Sequence, residues 1–284
     1  MNPTAAAVRA GIRRGLIELR ATFTDSQDLW NYLFTPVIIL VVMFFLRGNT
    51  VPGTDFSLGG LAIPGVLGML IAFNGLTVPA YTLVAEREDG TLLRMKATPN
   101  GMLGYLVGKI VTVVGMSLPS LAILLVPSVF LFHGLRLTSP GTWATLAWVF
   151  LLGLVATMPV GAVLGSLFTR PSSLGLVSLP MLGLVAVSGI FYPITVFPVW
   201  LQWIAQVFPI YWLGLGMRSA LLPNSLASVE IGESWRNLET LGVLGAWAVF
   251  GLVLAPILLR RMARRESGSA VDARREKAMQ QRWA

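Results

Sequence analysis

The residues that could do covalent or acid–base chemistry in this chain are few and poorly placed for it. No cysteine occurs among the 284 residues, so disulfides, thiolate metal sites and thiol nucleophiles are excluded. The single histidine, His133, cannot build a zinc site alone. Ser117, Ser166 and Ser178 sit in apolar surroundings with no histidine or carboxylate close in sequence. A serine nucleophile needs such a base beside it, and isolated serines of this kind bond the carbonyls of their own helix. The run Gly104-Tyr105-Leu106-Val107-Gly108-Lys109-Ile110 approaches a phosphate-binding loop. It is one residue short, however, and ends in Ile where Ser or Thr would hold magnesium. Its two glycines are better suited to letting a neighbouring helix come close, a spacing that Gly161 and Gly165 repeat. The sequence therefore reads as a non-enzyme with no metal or cofactor of its own.

The chemistry it does carry is that of a docking element. Glu86, Arg87, Glu88, Asp89, Gly90, Thr91, Leu92, Leu93, Arg94, Met95, Lys96, Ala97, Thr98 and Pro99 form a charged island between two long uncharged runs. From Leu58 to Ala85 the only ionisable side chain is Tyr81, and from Ile110 to Phe132 there is none. Runs of that length can cross a bilayer, and lipid forces their backbone to satisfy itself as helix. The island is then a short water-facing turn between two membrane helices. Gly90 suits the left-handed end of the incoming helix. Thr91 can cap a new short helix that stops near Pro99. Leu92, Leu93 and Met95 would give it an apolar face, leaving Arg94 and Lys96 wet.

The elements that hold this island follow from hydropathy. The chain is 55% hydrophobic and only 12% charged, against about 25% charged in soluble domains, so it reads as an all-α integral membrane protein. Three regions are expected: an N-terminal amphipathic helix within residues 1–28, a six-span domain over 29–260, and a basic cytoplasmic tail over 261–284. From about Pro3 to Thr24, Val8, Ile12, Leu16 and Leu19 recur at spacings of three and four, with Arg9, Arg13, Arg14 and Arg20 on other faces. A basic helix of this kind lies in the interface among anionic headgroups. Without an apolar core followed by a cleavage site, it does not read as a signal peptide. Spans are expected over Leu29 to Leu46, Leu58 to Ala85 (kinked at Pro64 and Pro79), Leu103 to Phe132, Thr142 to Phe168, Leu174 to Tyr192 and Leu241 to Leu259.

Residues 193–222 are too broken by Pro193, Pro198 and Pro209 for a span. Rich in Trp and Tyr, they read as two short re-entrant or interfacial helices on the outer side, split near Pro209. Of the 21 basic residues, only Arg47, Arg136, Arg218 and Arg236 fall in the loops opposite the island and the tails. That bias puts both termini and the island in the cytoplasm. No Asp or Glu falls inside the spans as drawn, which argues against proton- or sodium-driven transport and acidic-ring channels. The preference for Arg over Lys, with much Ala, Gly and Val, points to a GC-rich bacterial genome.

The run Glu86-Arg87-Glu88-Asp89-Gly90-Thr91-Leu92 with Thr98-Pro99 resembles the inner-loop signature of type-two ABC exporter permeases, in their daunorubicin-resistance-like drug-export branch. The resemblance covers essentially the whole chain. It implies that residues 86–99 couple to a separate ATPase, with Glu86, Arg87, Glu88, Asp89, Gly90, Thr91, Leu92, Arg94, Met95, Lys96, Thr98 and Pro99 at or near the contact. The basic face of the first helix (Arg9, Arg13, Arg14) would meet that partner or lipid headgroups. It further implies two ATPase subunits carrying ATP and Mg, a second permease, identical or homologous, substrate passing between the two permeases, and no nucleic-acid partner. The location implied is the bacterial inner membrane.

An apolar path suits a drug-like or lipid-like amphiphile, with Phe34, Phe73, Asn74 and Met181 as candidate lining residues; Asn74 could equally make an interhelical hydrogen bond. Phe191, Tyr192, Trp200, Phe208, Tyr211 and Trp212 form either an outer gate or an interfacial anchor. A permease for lipid-linked polysaccharide, and a non-transporting membrane enzyme or scaffold, are the alternatives.

Overall fold

A computed structural model describes residues 3–50, 56–98, 100–132, 134–168 and 171–265. Ten α-helices run through it: α1 (Pro3–Thr24), α2 (Ser26–Phe45), α3 (Leu58–Glu88), α4 (Thr91–Lys96), α5 (Gly101–Leu131), α6 (Pro140–Leu167), α7 (Pro171–Val187), α8 (Val199–Val207), α9 (Pro209–Leu221) and α10 (Asn237–Arg265). Short 3₁₀ turns join them, and among the described residues extended pairing is limited to an isolated bridge between Thr50 and Ser57. Four helices, α3, α5, α6 and α10, are long and apolar enough to cross a membrane, while the apolar segments Tyr32–Gly48 and Ser173–Val187 are shorter.

The helix α3 is the axle of the molecule. At 1.5 Å per residue its 31 residues extend about 46 Å, so it overshoots a hydrocarbon layer of about 30 Å. Pro64 and Pro79 lie inside it without ending it. Ile63, Val66, Ile71, Ala72 and Val84 are fully buried, and α6, α9, α5 and α2 pack around it. The glycine spacing in α6 has the predicted consequence. A Cβ on Gly161 would stand 2.4 Å from the Leu76 carbonyl oxygen, and one on Gly165 would stand 2.8 Å from that of Ala80, so α6 touches α3 backbone to backbone.

Helix α1 occupies the predicted residues, but it packs differently from a simple amphipathic reading. Its buried residues are Ala7, Gly11 and Gly15, and this small-residue stripe lies on α5. A Cβ on Gly11 would meet the Gly104 oxygen at 2.3 Å, and one on Gly15 the Gly108 oxygen at 2.7 Å. Ile12 and Leu16, on the apolar stripe read from the sequence, are exposed, as is Ile17. Leu19 instead reaches α5 at Gly115. Large side chains advertise themselves in a periodicity count, whereas glycine contributes nothing to it yet permits the closest approach.

On the far end from α4, the chain breaks at Pro209 as expected, giving α8 and α9. Helix α9 is nearly all core: Ile210, Tyr211, Trp212, Leu213, Leu215 and Met217 are buried against α3 and α6. Helix α8 is the opposite, with Val199, Trp200, Trp203, Ile204 and Val207 exposed.

Candidate functional site

The charged island is built as a tight helix–turn–helix–turn–helix. Gly90 adopts φ 77°, in the left-handed region, where an L side chain would be strained. The cap on α4 differs from the expected one. Thr91 is the first helical residue rather than the cap, and its N–H donates to Asp89 Oδ1 at 2.8 Å. Satisfying an orphan N–H in this way is the ordinary task of a cap residue. Arg94 Nη2 donates to Thr91 Oγ1 at 3.1 Å, and Thr98 Oγ1 donates to the Met95 oxygen at 2.9 Å. The chain leaves α4 through a second left-handed residue, Asn100 (φ 55°). Pro99 lies outside the described residues, as do the side chains of Glu88 and Lys96.

The lower face of α4 is anchored. Leu92 is buried with Leu83 of α3, Tyr105 of α5 and Met262 of α10, and Met95, Met102 and Leu259 pack on this cluster. Three helices, one of them α10 from far along the chain, thus converge beneath one six-residue helix. The upper face is open: Asp89, Arg94, Ala97 and Thr98 are exposed. Arg87 points elsewhere, donating to the Phe168 oxygen at 3.0 Å and to the Ser166 oxygen at 3.4 Å, which ties the end of α3 to the end of α6.

Glu86 is also turned inward and is buried. Its Oε1 lies 2.7 Å from Arg14 Nη2 and 2.9 Å from Lys109 Nζ. Glu18 closes the ring: Oε1 accepts from Arg14 Nε at 2.9 Å, and Oε2 from Lys109 Nζ at 2.9 Å and Thr112 Oγ1 at 3.0 Å. Burial raises the pKa of Glu18, but the hydrogen bond from Arg14 and the charge and hydrogen bond of Lys109 outweigh it and hold the carboxyl below its ordinary value. Both cations lie near the Tyr105 ring, at 5.6 and 5.7 Å from its centroid. Arg9 and Arg13 are exposed and line a surface groove with Ala6, Ala10, Ile17 and the outer sides of Arg14 and Glu18.

The other candidates scatter. Phe34 is exposed on α2 beside Trp30, Phe73 packs half-buried on the main core, and Met181 is buried in α7. Asn74 is half-buried in α3, with Nδ2 enclosed and without a hydrogen-bond partner. The outer aromatics divide three ways. Tyr211 and Trp212 are core and meet edge to face, Tyr192 and Trp200 are exposed, and Phe191 and Phe208 are intermediate, Phe208 stacking with Trp247.

Beyond the small-residue stripe of α1, three features are not legible in the sequence. One is the Arg14–Glu18–Glu86–Lys109 ring, for which the four-residue spacing of Arg14 and Glu18 was the available hint. Another is the reach of α10 to α4 through Met262, for which no local signal exists. The last concerns Arg218, read as an outer-loop charge. It is in fact 1% exposed, with Nε 2.7 Å from Glu230 Oε1 and Nη1 donating to the Gly189 oxygen at 2.8 Å. The Arg218 Nε contact is an ion pair whose angle departs from that of a hydrogen bond.

Comparison with known proteins agrees with this architecture. A family model described as "ABC-2 family transporter protein" matches residues 48–257, which takes in α3 through α9 and most of α10. No curated protein matches the chain. The chain belongs to the ABC-2 transporter family, and it is accordingly a multi-pass membrane permease component of an ABC exporter rather than the ATPase.

Proposed function

We propose that this ABC-2 permease exports a drug-like or lipid-like amphiphile across a bacterial inner membrane, driven by separate ATPase subunits that dock on α4. The observation that carries the docking assignment is the two-sidedness of α4: Leu92 is rooted among α3, α5 and α10, while Asp89, Arg94, Ala97 and Thr98 face outward. A helix fixed below and open above passes a push on its outer face into the helices beneath it.

In this reading α2, α3, α5, α6, α7 and α10 are the six spans, with α7 and α2 the short ones. Helix α1 packs beside the inner end of α5, with Ile12, Leu16 and Ile17 toward lipid and Arg9 and Arg13 among anionic headgroups or against the ATPase. Helices α8 and α9 form the outer re-entrant pair, and both termini are cytoplasmic. Two permeases and two ATPases make the working complex. ATP and Mg on the ATPases draw the two α4 elements together, shifting the population between inward- and outward-open arrangements of the helices. An amphiphilic cargo passes between the permeases, with Phe34, Phe73, Asn74 and Met181 as candidate contacts. In the same reading the chain is a daunorubicin-resistance-like exporter, a branch supported by the resemblance of its Glu86–Leu92 and Thr98-Pro99 run.

The test is co-purification with the ATPase. Arg94→Glu, on the exposed face, is expected to reduce recovery of the ATPase about ten-fold while the permease inserts at normal levels. Undiminished recovery would contradict docking on this face.

A further inference from the structure

Glu86 stands in the middle of the island but does not behave as part of its outer face. Its side chain is about nine-tenths buried, and Lys109, its partner on α5, is more so. With the three charges around it Glu86 forms a neutral set, Arg14 and Lys109 against Glu18 and Glu86. They join three helices: α1 through Arg14 and Glu18, α3 through Glu86, and α5 through Lys109. Helices α3 and α5 are the two that carry α4 between them. A force on α4 changes their tilt only if they do not splay apart at the joint. The Glu86–Lys109 contact at 2.9 Å bridges the last turn of α3 to the third turn of α5, and the Arg14–Glu86 contact at 2.7 Å adds α1 to the same block. Charge-assisted contacts this short are strong and directional, and removing one member of such a set strands its partner's charge in a partly dry site.

We propose that Glu86 is a positioning residue rather than an ATPase contact: by neutralising the buried charge of Lys109 and Arg14 it lets α3, α5 and α1 pack as one block that presents α4 to the ATPase in a single orientation. The inference rests on the docking reading of α4 but assigns Glu86 a task distinct from that of Asp89 and Arg94. Lys109 provides the discriminating experiment, because it is 7% exposed and cannot itself reach a partner protein. A lost intermolecular contact is not repaired by altering a buried neighbour, whereas a lost charge balance is.

The experiment uses the full chain with its co-expressed ATPase, purified into nanodiscs. Permease-stimulated ATP turnover and the thermal midpoint are measured for each variant. Glu86→Gln leaves the site one positive charge in excess and is expected to lower stimulated turnover about ten-fold. Adding Lys109→Met leaves Arg14 paired with Glu18 and restores neutrality. Turnover should then return to within about two-fold of the unaltered complex. Folded double-variant protein that stays as inactive as Glu86→Gln would overturn the inference, as would an unaffected Glu86→Gln. Should Glu86→Gln fail to fold, the double variant decides alone, since active folded protein supports the inference and inactive folded protein refutes it. An unaltered permease that neither binds nor stimulates the ATPase would instead defeat the docking reading, and this inference with it.

Discussion

Gly11→Ala adds one methyl group at the place where α1 and α5 meet, and the structure sets the size of its effect. The new Cβ would stand 2.3 Å from the Gly104 oxygen and 3.0 Å from Val107 Cβ. Against a contact optimum of about 3.5 Å, the helices must part by about 1 Å. Overpacking of this kind costs about 1–3 kcal/mol, and alanine's better helix propensity returns about 1 kcal/mol. The separation also stretches the Arg14–Glu86 contact from 2.7 Å beyond hydrogen-bond range, so the steric term should prevail. The two steric and propensity terms leave about 0–2 kcal/mol and the lost contact adds about 1 kcal/mol, a net loss of about 1–3 kcal/mol that corresponds to about a 5- to 150-fold change in a local opening equilibrium.

The assay is amide hydrogen exchange across α1 with the protein in nanodiscs. Gly11→Ala should accelerate exchange by a factor in that range, confined to α1 and the facing part of α5. Gly242→Ala on α10, where a Cβ meets nothing within 4 Å, serves as the control and should leave exchange unchanged or slower. If Gly11→Ala left α1 as protected as before, the backbone-to-backbone account of this interface would be refuted.

Three further outcomes follow from the same geometry. Leu92→Ala removes a buried side chain from the root of α4 and should cost about 2–5 kcal/mol, read as a lowered thermal midpoint together with weaker ATPase recovery. Arg218→Met strands the buried Glu230 carboxylate and should cost about 3–5 kcal/mol. Arg218→Met with Glu230→Leu should regain most of that in a thermal melt, and a double variant no better than the single would show that the pair is not coupled. Because Glu18 titrates below its ordinary value of 4.5 in the folded protein, its contribution is complete above that pH and lost as pH falls through the lower, folded value. Protection of α1 amides should therefore decline only in that acid range, and Glu18→Gln should flatten the dependence.

Local chemistry carried much of this architecture. The uncharged runs before and after the island, the left-handed Gly90 and the break at Pro209 each act within a few residues, and each was legible. What was not legible depends on chain segments distant in sequence. Arg14 and Glu86 are 72 positions apart, and nothing near either residue says that they meet. Arg218 looked like an exposed cation because a buried arginine is identified by its partner, Glu230, and by the Gly189 carbonyl. The small-residue stripe Ala7, Gly11 and Gly15 is invisible to apolar periodicity, which weights size. Its four-residue spacing, matching Gly104 and Gly108 on α5, was the available signal. Proximity in sequence suggests one contact surface for the island residues. Helix geometry divides them, turning Glu86 and Arg87 inward and Asp89 and Arg94 outward.

The central claim is that the outer face of α4 meets an ATPase on the cytoplasmic side. The chain has no cysteine, so a single Ala97→Cys at the exposed end of α4 supplies a unique reactive group, with Ser228→Cys on the 3₁₀ segment Asn224–Val229, outer in the proposed topology, as its counterpart. The account predicts that Ala97→Cys cross-links to the ATPase through a short bifunctional reagent and is shielded from an impermeant maleimide in intact cells, while Ser228→Cys is labelled and does not cross-link. Labelling of Ala97→Cys from outside the cell, or an actively hydrolysing complex with no cross-link at that position, would contradict it.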